Sequence, residues 1–248
     1  MTYLSRIRFN PHRAQARRLL GNPQAMHATV LGGLPTQPVR ERVLWRLDAD
    51  EPLRPQLLVL SESRPSWEHL VEQAGWPSSD NSDDPQVAVR DYRPFLKRLA
   101  IGQKYAFRLT ANPTQSTKRP GALTEAQRHR APDGKLSRSV RLGHRTVSSQ
   151  VEWLTDRVER WGFSIPAASS SASVGEAVAD LRVIGRARAS FRRAGTPGAV
   201  VMQTVTYEGS LCITDPDVLR ACMVRGIGPA KAYGCGLLTL APLVEIKR

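Results

Sequence analysis

The sequence predicts an α+β protein of two tandem ferredoxin-like (βαββαβ, RRM-like) domains, residues 1–98 and 99–248. Three observations predict it. Segments with period-two and period-3.6 apolar spacing follow one another as strand, helix, strand, strand, helix, strand. The same order recurs after residue 99. The length of 248 residues suits two small domains, and a hydrophobic content of 41% suits packed cores rather than disorder.

The first predicted strand, Tyr3 to Phe9, puts Tyr3, Ile7 and Phe9 on one face and Arg6 and Arg8 on the other. A helix is expected from Pro11 to Leu20, with Gly21 as its stop. Asn22-Pro23 then reads as an N-cap followed by proline in the first turn, opening a second helix with Met26, Val30 and Leu34 on one face. Strands follow at Val43–Leu47 and Gln56–Leu60, then a short helix carrying Trp67, Leu70, Val71 and Ala74. Pro77 to Gln86 reads as a polar loop, and Val87 to Phe95 as an extended segment whose ladder Pro94 limits.

In the second half, Lys104 to Thr110 alternates with Tyr105, Phe107 and Leu109 on one side. Val147, Val151, Leu154, Val158 and Trp161 mark an amphipathic helix, with Ser149 and Glu152 at capping-box spacing. Leu181–Arg192 and Ala199–Tyr207 form a hairpin around a Gly-Pro-rich turn. Asp215-Pro216 opens a helix that stops at Gly226, and Leu237–Leu240 closes the set. Ala167 to Ser173 is of low complexity and reads as a loop.

Charge narrows the function. Lys and Arg outnumber Asp and Glu by 36 to 22, a net charge of +14. Such a surplus favours a polyanionic partner. No apolar run approaches the roughly 20 residues of a bilayer span, and neither a secretory signal nor a lipidation motif is expected, which favours nucleic acid over a membrane. Three cysteines, Cys212, Cys222 and Cys235, lack metal-ligand spacing and fit a reducing cytoplasm, with Cys212 and Cys222 expected as small buried residues. No helix-turn-helix or zinc spacing favours DNA.

Between Pro113 and Arg145 lie Lys118, Arg119, Arg128, Arg130, Lys135, Arg138, Arg141 and Arg145, opposed only by Glu125 and Asp133. This is either a solvated loop or an arm that orders on an RNA backbone. Leu181 to Arg193 carries five arginines and no acid. The even spacing of Arg186, Arg188 and Arg192 would line one strand face with guanidinium groups suited to phosphates, and Arg193 follows. Exposed strands also carry charge for solubility alone. The segment Arg225 to Gly236 fits neither a P-loop nor a dinucleotide fingerprint. It reads as a flexible loop whose bare backbone at Gly226 and Gly228 approaches phosphates, with Lys231 as a point charge, or as a plain chain reversal.

The stretch Gly226 to Pro242 resembles the C-terminal glycine-rich signature of the CasE family, the CRISPR RNA-processing endoribonucleases of type I-E Cascade. Asn22 to His27, Leu44 to Leu47, Phe107 to Pro113 and Tyr207-Glu208-Gly209 resemble further landmarks in family order. The resemblance implies a metal-independent, cofactor-free cut of precursor crRNA at the 3′ base of the repeat hairpin, leaving a 2′,3′-cyclic phosphate. It also implies retention on the mature guide beside other Cascade subunits. The family's catalytic histidine matches His27, and its basic hairpin matches the region of Arg192 and Arg193. Relatives can carry a tyrosine before that histidine and a lysine after it, where this chain has Gln24 and Gly32. A histidine on a helix beside Leu31 and Leu34 would, without that match, read first as structural. Arg17 and Arg18 are the nearest cations in sequence to stabilise a phosphorane. His12, His69, His129 and His144 have no constellation around them. The rival reading is a non-catalytic subunit that only binds an RNA hairpin.

Overall fold

A computed structural model describes residues 1–77, 85–118, 129, 139–168, 179–192 and 199–243. Most of the polar loop near Asp80, the interior of the basic arm, most of the low-complexity segment and the hairpin turn lie outside them.

The first half contains β1 (Tyr3–Arg8), α1 (Ala14–Gly21), α2 (Pro23–Gly32), β2 (Leu44–Asp48), β3 (Gln56–Ser61), α3 (Glu68–Ala74) and β4 (Val87–Asp91). Its strands run β2-β3-β1-β4, every neighbour antiparallel, which is the ferredoxin-like order. Ile7 and Phe9 point into a core with Met26, Val30, Trp45, Leu57, Val59 and Leu70. Asn22 behaves as the sequence predicts: its side chain accepts from the backbone N–H of Gln24 (3.0 Å) and Ala25 (3.1 Å). Such a cap contributes about 1 kcal/mol. Gly21 is not the stop. It is the last residue of α1, and Asn22, in extended conformation, ends one helix and starts the next.

The extended segment expected to reach Phe95 stops at Asp91, because α4 (Arg93–Arg98) takes over with a proline in its first turn. The Asp91 carboxylate accepts from the Arg93 backbone N–H and guanidinium, which hold it down at about 2.

The second half contains β5 (Lys104–Ala111), β6 (Thr114–Thr117), β7 (Val140–Gly143), α5 (Val147–Thr155), β8 (Phe163–Ser164), β9 (Leu181–Arg192), β10 (Ala199–Ile213), α6 (Pro216–Arg225) and β11 (Leu238–Ala241). Its main sheet runs β11-β5-β10, with β9 and the two-residue β8 both on the far side of β10. That is the same ferredoxin-like order, and the β6–β7 pair is a separate small sheet inserted after β5. The long expected helix breaks at Thr155 and resumes as a 3-10 turn over Glu159–Trp161. It ends at Gly162 (φ +82°), where a Cβ would sit 2.3 Å from the Asp215 carbonyl. The cap of α5 is Thr146, whose Oγ1 accepts from Ser149 N at 3.2 Å, three residues before the Ser149 of the expected capping box. Cys212 and Cys222 are only partly buried. Cys235 is the fully buried cysteine, its thiol pushed up to about 12 by desolvation.

The halves meet across β2. Although β2 is an edge strand, both of its faces are covered. Trp45 faces the first core, while Leu44 packs with Leu60 and Leu237 between the domains. Arg46, 2% exposed, donates to Asp48 in its own strand and to the carbonyls of Arg108 and Leu237 and the Thr239 hydroxyl in the other domain. Among the described residues no helix is long and apolar enough to cross a membrane.

Candidate active site and nucleic-acid interface

Asn22 and Pro23 fix where α2 begins, and that sets the orientation of the next turn. Met26 and Val30 are buried, so His27 lies one step around the helix, half-buried. Its ring meets Tyr233 of the second domain edge-on, with centroids 6.5 Å apart and planes at 64°. Nδ1 of His27 is buried and hydrogen-bonded to no described residue, as is Oε1 of Gln24 one turn earlier. Burial lowers the pKa of the imidazole below its ordinary value, because the charged form is the one that desolvation penalises.

Tyr233 belongs to a 3-10 turn, Lys231–Tyr233, that packs on both α2 and β2. The glycine-rich loop is not the loose strap the sequence suggests. Its backbone is tied, Ile227 N to Gly236 O at 2.9 Å and Gly236 N to Thr110 O at 2.7 Å. Its glycines allow close packing: a Cβ on Gly234 (φ +83°) would lie 2.7 Å from the Trp45 ring, and one on Gly226 would lie 2.6 Å from Leu44. The open side of Gly228 faces Trp153. Lys231, half-buried, lays its stem against Gly226 and Gly236. Its pKa is lowered by burial and then by the charge of Arg42, a neighbour that nothing in the sequence marks.

Opposite this wall stands the β9–β10 hairpin. Arg186 and Arg188 are exposed on it, and neither has an acidic partner among the described residues. Arg186 donates to the Arg145 carbonyl, which ties the hairpin to the end of the basic arm. A basic hollow of about 620 Å³ is lined by Arg141, Arg145 and Arg188 with Asn112 and Gln203. A second cleft, about 810 Å³, runs between the domains from the α1–α2 junction past Met26 and Trp45 to Phe191, Met202 and Tyr233. Arg188 borders both.

The other expected residues fall outside this cluster. The Arg17 guanidinium turns toward the start of α1, donating to the His12 carbonyl at 2.8 Å. Arg18 is exposed in the last turn of α1, and Lys118 is exposed just past β6. Arg192 ends β9, with only its backbone described, and Arg119, Arg138 and Arg193 lie outside the described residues. His69 contacts the Thr29 carbonyl and His12 packs on Trp76, so both have structural neighbours. Phe191 and Tyr233 are the residues sequence reasoning missed. Tyr233 could have been found, as a large aromatic inside a run of glycines.

The arrangement is a half-buried imidazole whose neighbours Met26 and Tyr233 line an inter-domain cleft that Arg188 also borders, and Arg188 has no acidic partner among the described residues. It is suited to proton transfer on a bound polyanion. The family model described as CRISPR associated protein matches residues 2–242. CRISPR-associated endoribonuclease Cse3 of Thermus thermophilus is 31% identical over 243 residues, covering 97% of this chain and all of that protein. Cascade subunit CasE of Escherichia coli K12 is 31% identical over 146 residues, 59% of this chain and 62% of that protein. The structure of Thermus thermophilus Cse3 bound to an RNA representing a pre-cleavage complex superposes with a TM-score of 0.70 at 30% identity, covering 97% of this chain and 99% of that one. With a match along nearly its whole length, this chain belongs to the CRISPR-associated protein family, in its CasE branch.

Proposed function

We propose that this chain is a metal-independent endoribonuclease that binds the CRISPR repeat hairpin, cuts precursor crRNA at the 3′ base of the stem, and stays on the guide as a cytoplasmic Cascade subunit. The RNA-bound endoribonuclease Cse3 and the Cascade subunit CasE, as relatives, support the reading. The observation that carries it is the half-buried His27 with its ring against Tyr233, which itself lines the inter-domain cleft that Arg188 borders.

Residues 1–98 bring the imidazole, and residues 99–248 bring the hairpin and the glycine-rich turn. Arg186, Arg188, Arg192 and Arg193 grip phosphates, with Lys118, Arg119 and Arg138 of the arm. Lys231 adds positive charge near the cut, Arg17 and Arg18 on α1 add general attraction for RNA from outside that cluster, and Gly226 and Gly228 give the turn that presents Lys231 its shape. A ribbon of this kind grips backbone rather than reading the interior of an A-form stem. His27 Nε2 takes the 2′-hydroxyl proton as O2′ attacks phosphorus. The P–O5′ bond breaks in line, and the O5′ leaving group takes a proton from water while His27 returns its own to solvent, giving a 2′,3′-cyclic phosphate and a 5′-hydroxyl. Holding these atoms in line supplies much of the rate, up to roughly 7–11 kcal/mol in well-oriented intramolecular reactions.

His27→Ala tests the proposal with a repeat hairpin RNA. Cleavage should fall by at least about a hundredfold, the usual worth of a general base, while the gel-shift affinity holds. Unchanged cleavage would exclude His27 as the base. Binding with no cleavage by either protein would favour the non-catalytic hairpin-binding subunit.

A further inference from the structure

Two buried polar atoms one turn apart on α2, Oε1 of Gln24 and Nδ1 of His27, have no hydrogen-bond partner among the described residues. An enclosed polar atom left unpaired costs free energy, so each calls for an explanation. The two atoms are complementary. An amide oxygen accepts, and Nδ1 of a neutral imidazole donates when it carries the ring proton. Residues three or four apart on a helix are side-chain neighbours. For His27 these are Pro23, Gln24, Val30 and Leu31, and Gln24 alone among them has a hydrogen-bonding side chain. Its backbone is fixed, since the Gln24 N–H donates to the Asn22 side chain at 3.0 Å.

The surroundings offer Nδ1 no stronger partner. Among the described residues α2 packs chiefly on α1 and on the turn Lys231–Tyr233, and neither carries a carboxylate. Their charged groups are cations: Arg17, which turns to the His12 carbonyl, the exposed Arg18 and the half-buried Lys231. A cation has donors only. Of the turn's side chains only Tyr233, whose ring meets the imidazole edge-on, has an oxygen.

We infer that Gln24 is a positioning residue: its Oε1 accepts from Nδ1–H of His27 and so holds the ring in the tautomer whose lone pair is on Nε2. The inference rests on the reading of His27 as the cleaving base. The bond needs only rotation about the Gln24 side-chain torsions, because helix spacing already sets the two side chains next to each other. It satisfies both enclosed atoms at once. It also serves the chemistry, since a base must present a lone pair, and a ring with its proton on Nε2 presents none at the atom that meets the 2′-hydroxyl. A neutral acceptor fixes the proton without adding charge. The ring therefore keeps the preference for its neutral form that burial gives it, whereas a carboxylate in the same place would oppose that preference.

The test reads the tautomer directly, by NMR of isotope-labelled histidine nitrogens at a pH where the ring is neutral. The His27 signals, identified by their loss in His27→Ala, should show Nδ1 protonated and Nε2 bare. Gln24→Leu, similar in size but without an acceptor, should move the proton toward Nε2. Its single-turnover cleavage of a repeat hairpin should fall roughly three- to tenfold, the net worth of a neutral hydrogen bond, while affinity holds. Gln24→Glu keeps an acceptor, so it should keep the proton on Nδ1 and move the acid limb of cleavage to higher pH. Tyr233→Phe should leave the proton on Nδ1. A bare Nδ1 in the unaltered protein, a tautomer or rate that Gln24→Leu leaves unchanged, or a proton moved by Tyr233→Phe would overturn the assignment. The outcomes also separate it from the reading beneath it. Cleavage by His27→Ala sinks the catalytic reading and the positioning role with it. Lost cleavage in His27→Ala, with a tautomer indifferent to Gln24, sinks the positioning role alone.

Discussion

His27 and Tyr233 meet ring to ring across the junction of the two domains, 6.5 Å between centroids. The histidine's environment is therefore made by both halves of the chain. The helix α2 aims it, and the turn Lys231–Tyr233 closes over it and takes part of its water away.

That closure fixes a pH dependence. Burial favours the neutral imidazole, so the pKa of His27 lies below the ordinary 6.5. A base must be neutral to accept a proton, and kcat/KM reports the free protein. The acid limb of a kcat/KM profile on repeat RNA should have its midpoint below the ordinary 6.5, with a plateau through neutrality. A midpoint above that value would mean that a cationic or differently placed histidine does the work.

The domain junction depends on Arg46. It is 2% exposed, pairs with Asp48 at 2.7 Å, and reaches two carbonyls and a hydroxyl of the second domain. Arg46→Ala leaves a buried carboxylate with only Arg108, at 3.6 Å, as a cation among the described residues. The expected loss is about 3–5 kcal/mol by urea unfolding. A loss under about 1 kcal/mol, the worth of an exposed pair, would show that apolar contact at Leu44, Leu60 and Leu237 holds the junction without it.

The hairpin arginines should act on affinity. Arg186→Ala and Arg188→Ala should each weaken repeat-RNA binding and lower the slope of log K against log salt by about 1. The single-turnover rate at saturating protein should stay within about threefold, since phosphate contacts position the RNA without joining the reaction. A lost rate with unchanged affinity would place these side chains in the chemistry instead.

Much of the fold was legible because local signals agree with the final packing. Asn22-Pro23 and Asp215-Pro216 each start the helix they announce, and the alternation through Phe107 and Leu109 sits on the buried side of β5. Sequence and structure part where tertiary contact overrides a local cue. Gly21 has the local look of a stop, but the capping demand falls on Asn22. Pro94, locally a limit on a strand, instead starts α4. The glycine run from Gly226 to Gly236 reads locally as room for phosphates. Its positive-φ Gly226, Gly234 and Gly228 lie against Leu44, Trp45 and Trp153 respectively, contacts between segments far apart in sequence that no local pattern encodes. His27 was legible as a residue and illegible as a site, since Tyr233 reaches it only through the folded junction of two domains.

Cleavage as proposed depends on a ribose hydroxyl as the nucleophile. The direct measurement is cleavage in EDTA of two repeat RNAs that differ only by 2′-hydroxyl or 2′-deoxy at the nucleotide 5′ of the cut. The hydroxyl RNA should be cut to a 2′,3′-cyclic phosphate product while the deoxy RNA stays intact. Cleavage of the deoxy RNA, or a requirement for added metal, would contradict it.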